Sequence, residues 1–361
     1  MHVITRFLRF WYLQNKRDLP WRNTDDPYAI WIAEVIFQQT RINQGISYYR
    51  KFMEAFPHIQ SLAMADEQKV LKLWQGLGYY CRAHNLLHTA REIVSVYHGV
   101  FPTDYQRLKL LKGIGPYTAA AIASIAFNQP CAAVDGNVAR VIARLYGIRD
   151  PMNSTKGKKK IQTMAEALLD NNDPGLHNQA IMEFGALHCV PLNPDCLNCG
   201  LKLYCVAFQN DLVDTLPVRV KRSKPKIRWF HYLVCCYRHN EATQVLLQQR
   251  LAGDIWNGLY EFPLIEADTE MELTTLVEHP VFKQIIQDKR YVIKRVSGQY
   301  KHQLSHQKLL VRFFHIEFDE GCYNSKENHV SLINESNLND YPFPRLIDRY
   351  LTEMGLSGKG Y

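Results

Sequence analysis

Two carboxylates lie in surroundings where their charge could serve chemistry. Glu34 is the lone carboxylate of the apolar segment WIAEVIFQQTRI (31–42), and burial there would raise its pKa, as a general acid near neutral pH requires. Asp135 lies between an apolar approach and Gly136, a glycine that lets the chain turn into the next helix. Two structural alternatives stay open, since a core hydrogen bond could hold Glu34 and Asp135 could be a helix N-cap.

Four cysteines in HCVPLNPDCLNCGLKLYC (188–205) form a second chemical cluster. Their spacing is C-x6-C-x2-C-x5-C, and the positions are Cys189, Cys196, Cys199 and Cys205. Zinc sites usually pair two short C-x2-C units, so the longer spans fit zinc poorly. Four thiolates so close together favour a [4Fe–4S] cluster. Lys202 lies inside this loop and could meet a phosphate.

The stretch LLKGIGPYTAAAIASIAF (110–127) could bind phosphate without reading bases. Gly113 and Gly115 can take positive φ and present bare backbone N–H groups at a helix N-terminus. Ile114 between them would anchor the turn in the core. An ordinary glycine turn between two helices is the alternative interpretation of these glycines.

The length and composition of the chain restrict the kind of protein that it can be. A length of 361 residues predicts about two domains, and 47% hydrophobic with 22% charged residues is typical of a globular protein. No run of about eighteen apolar residues predicts a membrane span, and MHVITRFLRFWYLQNK does not resemble a secretory signal. The five other cysteines are scattered, as in reduced cytosolic proteins. The net charge of +8 makes a nucleic-acid partner plausible, although most charge runs are simply solvated.

The chain divides into three predicted segments. Residues 1–214 carry apolar residues at helical spacing, and TAAAIASIAF (118–127) predicts a helix buried nearly all round. Residues 215–228, TLPVRVKRSKPKIR, combine two prolines with six basic residues and predict a linker. Residues 229–361 contain short β-branched or aromatic runs separated by turn residues. We therefore expect a mostly α first domain and a smaller α+β second domain.

The hairpin 110–127 and the segment AAVDGNVARVIARLYGI (132–148) together resemble the endonuclease III, or helix-hairpin-helix, superfamily of DNA glycosylases. The resemblance implies that Asp135 stabilises an oxocarbenium-like sugar while the base leaves. Bifunctional members carry a lysine where this chain has Tyr117, and a phenol cannot form an imine. Lys109 and Lys112 lie on the wrong side of the hairpin to take the place of that lysine. The resemblance therefore implies attack by water, with strand cleavage through a lyase step absent or weak.

Within that superfamily the chain is similar to the adenine glycosylases of the MutY type, which act on adenine paired with 8-oxoguanine. The similarity is carried by LPWR (19–22), EVIFQQT (34–40), GLGYY (76–80), GPYT (115–118), VDGNV (134–138) and NQAIMEFGAL (178–187). It implies that Glu34 protonates adenine N7 and then helps to activate water. It also implies that Tyr117 and Asn137 hold the sugar and the carboxylate. The adenine pocket would be lined by Trp21, Arg22 and Glu183, and the duplex would be wedged open by Gln39 and Tyr79. Core packing is the alternative for Trp21 and Tyr79.

The second domain resembles the Nudix hydrolases through WNGLYEFPLIEA (256–267). The glutamate-rich box that would hold Mg²⁺ does not follow this segment, so we expect a reader rather than a metal-dependent hydrolase. In the MutY family a Phe-Ser-His loop recognises 8-oxoguanine. This chain has Leu304, Ser305 and His306 there, and the leucine puts the intercalating contact of that loop in doubt.

These observations predict a monofunctional glycosylase acting on double-stranded DNA with A·8-oxoG or A·G pairs. The expected cofactor is a [4Fe–4S] cluster, and the protein is expected to be a cytoplasmic, nucleoid-associated monomer without membrane contact. One alternative is an oxidised-base glycosylase with lyase activity, which Tyr117 and the reader domain disfavour. The other is a non-catalytic lesion-binding iron–sulfur protein, which the presence of both Glu34 and Asp135 disfavours.

Overall fold

The computed structural model describes residues 2–220, 224–239, 242–287, 289–318 and 330–356. Residues 221–223 of the predicted linker and Cys322 lie outside the described residues. The chain divides into two compact units, Met1–Ala65 with Asn85–Lys221 and Asp66–His84 with Arg222–Tyr361. The second unit therefore includes a short segment that interrupts the first unit in chain order.

Helices account for most of the first unit, and the second unit contains both helices and strands. The helices are α1 (Val3–Asn15), α2 (Pro27–Ile36), α3 (Ile42–Ala55), α4 (Ile59–Ala63), α5 (Glu67–Trp74), α6 (Cys81–Val96), α7 (Tyr105–Leu110), α8 (Pro116–Phe127), α9 (Gly136–Leu145), α10 (Thr155–Leu168), α11 (Pro174–Leu187), α12 (Val206–Gln209), α13 (Leu273–Glu278), α14 (Pro280–Ile286) and α15 (Arg345–Glu353). None of the helices in the described ranges is both long and apolar enough to cross a membrane.

In the described part of the chain, the strands all follow residue 225. They are β1 (Lys226–His239), β2 (Ala242–Gln249), β3 (Tyr260–Glu261), β4 (Leu264–Ala267), β5 (Tyr291–Val296), β6 (Tyr300–Gln303), β7 (Gln307–Phe318) and β8 (Val330–Asn334). Short 3₁₀ turns occur at Pro20–Arg22, Lys202–Tyr204 and Glu335–Asp340. This arrangement confirms the predicted fold class, a mostly α region followed by an α+β domain.

Aspartates start the helices that carry the candidate chemistry. Asp26 caps α2, accepting the N–H groups of Tyr28 and Ala29, and Pro27 follows at the first helical position. Asp135 caps α9, and its Oδ1 accepts the Val138 N–H at 2.7 Å. Because each cap fixes the first turn of its helix, it also fixes where the side chains of that turn point.

The core of the first unit forms where α1, α9, α10 and α11 pack together. Leu8, Ile142 and Ala180 are fully buried at its centre. Helix α8 is buried from Thr118 through Ser124, so the small-residue run is surrounded as expected over most of its length, and its last three residues are partly exposed. Small side chains allow neighbouring helices to approach α8 closely on every side.

The hairpin between α7 and α8 differs from its prediction at one glycine. Gly113 has a φ of 81°, in the left-handed region that favours glycine. Gly115 has a φ of −80° and a ψ of 175°, so the expectation of positive φ is wrong at this position. Gly115 is the N-cap of α8 and has an extended backbone. Ile114 is 3% exposed and anchors the turn in the core.

Within the described residues, eight strands of the second unit form one mixed sheet. The order is β3-β2-β1-β7-β5, with β4 paired to β1, β6 to β7 and β8 to β2. The long central pair β1 and β7 is parallel, with Phe230 opposite Val311. β1 is buried on both faces from Phe230 to Tyr237, as is usual for a strand in the middle of a covered sheet. In β7 the partly exposed Arg312, His315 and Glu317 alternate with buried apolar residues.

Helices cover both faces of this sheet. Phe230, Tyr232 and Val234 of β1 face a core that α15 completes. The alternate residues of β1 (Leu233, Cys235 and Tyr237) face a second core shared with α13 and α14. Phe313 of β7 stacks on Tyr350 of α15, with ring centroids 3.8 Å apart.

The segment predicted as a linker is ordered at both described ends. Lys226 to Arg228 already belong to β1, and Arg228 is buried between Asp254 and Glu266. At the other end the backbone of residues 216–220 bonds to the first unit, for example through Met152 N–H and Val218 O at 2.8 Å.

The two hairpin glycines make a matched pair of test positions. A Cβ at Gly113 would lie 2.6 Å from the Asn85 Cβ and would require a strained φ, whereas a Cβ at Gly115 meets no atom within 4 Å. We expect Gly113→Ala to cost about 1–3 kcal/mol of stability. Gly115→Ala should leave the midpoint of thermal unfolding unchanged. Equal losses in the two variants would contradict this account of the hairpin.

Candidate active site

One cavity of about 990 Å³ in the first unit gathers most of the residues predicted for catalysis and substrate binding. Its wall includes part of α2, the chain after α2, and the first turns of α8 and α9, together with one side of α11. The predicted residues on this wall are Trp21, Arg22, Glu34, Gln39, Tyr117, Asp135, Asn137 and Glu183. Its size suits a nucleoside-sized ligand with its base enclosed.

Glu34 and Tyr117 form a hydrogen-bonded pair on the cavity wall. The Tyr117 hydroxyl donates to Glu34 Oε2 and also lies 3.4 Å from Met182 Sδ. Burial raises the pKa of Glu34 to about 7, although the hydrogen bond from Tyr117 acts in the opposite direction. Burial and the neighbouring carboxylates raise the pKa of Tyr117 well above its usual value. A neutral phenol therefore bonds to a carboxyl group that can hold a proton near pH 7.

Asp135 serves as a helix cap and lines the cavity at the same time. Its Oδ1 accepts the Val138 N–H, and its Oδ2 accepts Asn137 Nδ2 at 2.8 Å. Burial raises the pKa of Asp135, while these hydrogen bonds oppose that rise. The N-cap alternative is therefore correct as a local description, and it leaves the carboxylate oriented toward the cavity.

Arg140 connects this carboxylate to the cysteine loop. Its Nη2 donates to Asn137 Oδ1 at 2.9 Å and to Gly185 O at 2.5 Å, and its Nε donates to Cys189 O at 2.8 Å. Asn137 is thereby held in the orientation that donates to Asp135. The guanidinium thus joins α9, α11 and the start of the cysteine loop through carbonyl oxygens.

Glu183 is a second buried carboxylate in the same cavity, with the opposite electrostatic environment. It is 0% exposed, and its oxygens accept the Arg17 Nε and Nη2 at 2.8 and 2.6 Å and the Arg22 Nη2 at 2.9 Å. Burial alone would raise the pKa of Glu183, but the hydrogen bonds from Arg17 and the charge of Arg22 outweigh it and lower that pKa. Glu183 therefore stays ionised while Glu34 can be neutral.

Trp21 supplies an aromatic wall. The indole is 8% exposed, lies 4.4 Å from the Phe37 ring and meets the edge of Tyr49. It is thus a packed aromatic that also lines the cavity, as a stacking surface for a flat base requires. No lysine belongs to the described cavity wall. Lys109 lies over the Tyr105 ring instead.

The two residues predicted to enter the duplex share an unusual backbone conformation. Gln39 has a φ of 61° and Tyr79 a φ of 48°, both in the left-handed region that non-glycine residues rarely adopt. Both side chains are exposed, Tyr79 by 49%. Core packing is therefore excluded for Tyr79. Strained, exposed residues of this kind concentrate at functional sites.

Tyr79 meets the predicted reader loop within the second unit. Its hydroxyl lies 2.5 Å from the Ser305 Oγ, and Ser305 and His306 are exposed in the turn between β6 and β7. Leu304 instead packs partly buried against the core of the sheet. The loop therefore presents a serine and a histidine, while its leucine faces inward.

The segment 66–84 is held to the sheet domain by further polar contacts. The side chain of Gln75, 2% exposed, donates to Asp348 Oδ1 at 2.9 Å and accepts the Phe343 N–H at 3.1 Å. Lys72 Nζ donates to Tyr341 O at 3.0 Å. These bonds explain why this stretch belongs to the second compact unit.

The four clustered cysteines line one small cavity between α9 and the loop 189–205. Its other walls include Val141, Leu145, Phe184 and Phe208, and Arg144 Nη1 lies 3.4 Å from Cys189 Sγ. No set of three His, Cys, Asp or Glu side chains in the described part of the chain is assembled as a metal site. Lys202 Nζ donates to Leu197 O at 2.9 Å, inside the loop.

Arg17, Met182 and Arg140 belong to the site and were missed by the sequence analysis. A signal existed for Arg17, because a glutamate in the apolar segment NQAIMEFGAL needs a cationic partner when it is buried. Nothing in local sequence identified Met182 or Arg140, because the contacts of Met182 with Tyr117 and of Arg140 with Cys189 join residues more than forty positions apart in the chain.

Comparison with known proteins agrees with this arrangement. Residues 32–170 match the family described as HhH-GPD superfamily base excision DNA repair protein, and residues 233–353 match the NUDIX domain. A solved thermostable thymine-DNA glycosylase superimposes with a TM-score of 0.53 at 29% identity, over 57% of this chain and 95% of that one. Endonuclease III in a non-covalent DNA complex superimposes with a TM-score of 0.50 at 21% identity, which shows the fold alone. Fold and site define a base-excision DNA glycosylase of the helix-hairpin-helix class.

Curated relatives identify the family within this class of DNA glycosylases. An adenine DNA glycosylase of Buchnera aphidicola subsp. Baizongia pistaciae is 30% identical over 95% of this chain and 94% of its own length. That of Buchnera aphidicola subsp. Acyrthosiphon pisum is 35% identical over 73% and 74%. The human adenine DNA glycosylase is 43% identical over 55% of this chain and 38% of its own length. The chain belongs to the adenine DNA glycosylase family, which confirms the resemblance found in its sequence.

The Glu34–Tyr117 pair predicts a specific titration. A ¹³C NMR signal from labelled glutamate carboxyls, assigned by its loss in Glu34→Gln, should titrate near pH 7. Tyr117→Phe removes the hydrogen bond that lowers this pKa, so the midpoint should move to higher pH. Tyr146→Phe, a change in a partly buried tyrosine outside the cavity wall, should leave it unmoved. A midpoint below 5 in the wild type would contradict the proposed environment.

Proposed function

We propose that this protein removes adenine mispaired with 8-oxoguanine or guanine from double-stranded DNA. It extrudes the adenine, hydrolyses the N-glycosidic bond and leaves the DNA strand uncut. The observation that carries the proposal is the Glu34–Tyr117 pair in the same cavity as Asp135, a protonatable carboxyl beside a fixed carboxylate. The described wall of that cavity offers no lysine for imine chemistry.

The reaction begins with proton transfer. Glu34 in its acid form gives its proton to N7 of adenine, which makes the base a better leaving group. The bond between C1′ and N9 breaks, and its electron pair leaves with the base. Asp135 is ionised and faces the positive charge that develops on the sugar. Water then adds to C1′ and its proton passes to the Glu34 carboxylate, which restores the starting acid.

Recognition of adenine uses the opposite electrostatics of Glu183. Its carboxylate, held by Arg17 and Arg22, can accept from the exocyclic amine of adenine, and Trp21 provides the stacking surface. Tyr117 and Asn137 hold the two reacting carboxyl groups in place. An ionised Glu183 and a protonatable Glu34 thereby perform different tasks in one cavity.

Residues of the second unit recognise the base that is paired with the adenine. In this proposal Ser305 bonds to the N7–H edge that distinguishes 8-oxoguanine, with His306 beside it. Tyr79 wedges next to that base and Gln39 occupies the space vacated by adenine. The hydroxyl contact between Tyr79 and Ser305 supports this assignment, because it forms the pair before DNA arrives. The inward packing of Leu304 makes an intercalating role for that residue unnecessary.

Cys189, Cys196, Cys199 and Cys205 would hold a [4Fe–4S] cluster. The fit rests on their common cavity and its apolar walls, and on the Arg144 guanidinium at 3.4 Å from Cys189 Sγ, which offsets the negative charge of thiolate ligands. The cluster would supply structural support for the loop 189–205.

We further propose that residues 1–214 are the catalytic domain, 215–228 the linker and 229–361 the recognition domain. Gly113 and Gly115 would bring backbone N–H groups to a DNA phosphate, and the open space at Gly115 suits such an approach. The protein would act as a monomer on DNA in the cytoplasm, at the nucleoid.

A duplex assay tests the main proposal. With one A·8-oxoG pair, wild-type protein should give strand breaks only after alkali treatment, because hydrolysis leaves an abasic site in an intact strand. Asp135→Asn should lower the single-turnover rate by about 10²–10³-fold, while Asp150→Asn, outside the cavity wall, should not lower it. Breaks without alkali would contradict the monofunctional mechanism, and full activity of Asp135→Asn would contradict its role.

The reader assignment is tested by the two bonded hydroxyls. Ser305→Ala and Tyr79→Phe should each reduce the rate preference for A·8-oxoG over A·G by roughly 5- to 30-fold, the value of about 1–2 kcal/mol for a hydrogen bond to the lesion. The double variant should lose little more than either single variant, because the hydroxyls act as one unit. Ser336→Ala, an exposed serine of the same unit, serves as control. An unchanged preference would refute the reader assignment.

A further inference from the structure

The arginines of the catalytic cavity differ in their hydrogen bonds and ion pairs. Among the described residues, five arginines line it: Arg17, Arg22, Arg41, Arg140 and Arg219. Arg17 and Arg22 bond to Glu183, and Arg140 bonds to carbonyl oxygens and to Asn137. In the described part of the chain, the guanidinium groups of Arg41 and Arg219 have no hydrogen bond or ion pair.

Arg219 is an exposed residue on a backbone that is held in place. Arg144 Nε donates to Leu216 O at 3.0 Å, and the Met152 N–H donates to Val218 O at 2.8 Å. On the other side of Arg219, the Val220 N–H donates to Asn153 Oδ1 at 2.9 Å. Because the backbone is bonded on both sides, Arg219 is presented to the cavity at a defined place, although it belongs to the predicted linker.

That place is the Asp135 end of the cavity. Arg219 is close enough to Arg140 for their charges to interact, and Arg140 bonds to Asn137, which in turn bonds to Asp135. Gly136 lies on the same wall, is exposed, and would meet no atom within 4 Å if it carried a Cβ. The structure thus has open room next to a cation with no partner among the described residues.

Charge balance explains what such a cation would do. The proposed mechanism brings C1′ of the extruded nucleotide to the Asp135 carboxylate. Only the sugar ring separates C1′ from the 5′ and 3′ phosphates of that nucleotide, so Asp135 also repels the phosphates that must enter with it. A guanidinium at this end of the cavity offsets the repulsion and can bond two phosphate oxygens at once.

We propose that Arg219 binds a phosphate flanking the extruded adenosine. The inference rests on the proposed function, because that function is what brings a nucleotide into the cavity. Arg219 is then a DNA-binding residue of the catalytic site, supplied by the segment that leads to the second domain. It contacts the backbone and leaves the reading of the opposite base to other residues.

The test measures binding separately from excision. The probe is a duplex with 8-oxoguanine opposite a 2′-fluoroadenosine, whose glycosidic bond resists hydrolysis. Arg219→Ala should bind about 10-fold more weakly, and the slope of log K against log salt concentration should fall in magnitude by about 0.9, the value for one phosphate contact. Arg219→Lys should recover part of the loss, because a point charge replaces the two-pronged contact.

Neutral phosphate analogues locate the contact. A methylphosphonate is placed at either the 5′ or the 3′ side of the 2′-fluoroadenosine. At one of these positions it should weaken binding by wild-type protein and have no further effect on Arg219→Ala. Arg149→Ala is the matched control, since Arg149 is also an exposed arginine of the first unit but does not line the cavity.

Two outcomes overturn the inference. One is a loss in Arg219→Ala no larger than that in Arg149→Ala. The other is a loss that adds fully to that of each methylphosphonate, which would show that Arg219 contacts neither phosphate. If wild-type protein excises adenine in the alkali assay, either outcome refutes the role of Arg219 alone. If wild-type protein does not excise adenine, the proposed function fails instead.

Discussion

The site depends on a largely buried carboxyl group that has a neutral hydroxyl beside it and, among the described residues, accepts no hydrogen bond from a cation. Glu34 has Tyr117 as its hydrogen-bond partner, and burial raises its pKa to about 7. Glu183 lines the same cavity but lies between Arg17 and Arg22, which hold its pKa low. Two glutamates of one cavity thus differ in their pKa shifts because of their partners, and the proposed mechanism assigns them different tasks for that reason.

The groups that build the fold are also the groups that orient the chemistry. Asp135 starts α9 by accepting the Val138 N–H, and the same bond aims its carboxylate at the cavity. Arg140 holds Asn137 against Asp135 while it bonds to the carbonyl oxygens of Gly185 and Cys189. A change that loosens α9 or the cysteine loop would therefore move the Asp135 carboxylate, which would couple stability to activity if Asp135 has its proposed role.

The second unit is discontinuous in sequence, and this arrangement has a consequence for function. Segment 66–84 bonds to the sheet domain through Gln75 and Lys72, and it carries Tyr79 to the hydroxyl of Ser305. Residues 226 apart in the chain therefore form one polar pair on an exposed surface. The pair exists without DNA, so the proposed reading of the opposite base would cost less conformational entropy.

Local sequence determined the elements and the types of chemistry. Apolar periodicity predicted the helical first region and β-branched runs predicted the strands, while the chemical roles of Glu34, Asp135 and the four cysteines stay predictions. These features could be predicted because helix caps, strand patterns and motif glycines act over a few residues. The one local error, at Gly115, arose because a glycine can serve an extended N-cap as well as a positive φ.

Tertiary structure alone decided which groups meet. It paired Glu34 with Tyr117 and Glu183 with Arg17, and it drew the segment 66–84 into the second unit. Burial and long-range pairing set the pKa of a carboxyl group, and neither quantity exists until distant parts of the chain pack together. The sequence by itself determined that Glu34 could be an acid, and the packing of α2 against α8 made it one that holds its proton near neutral pH.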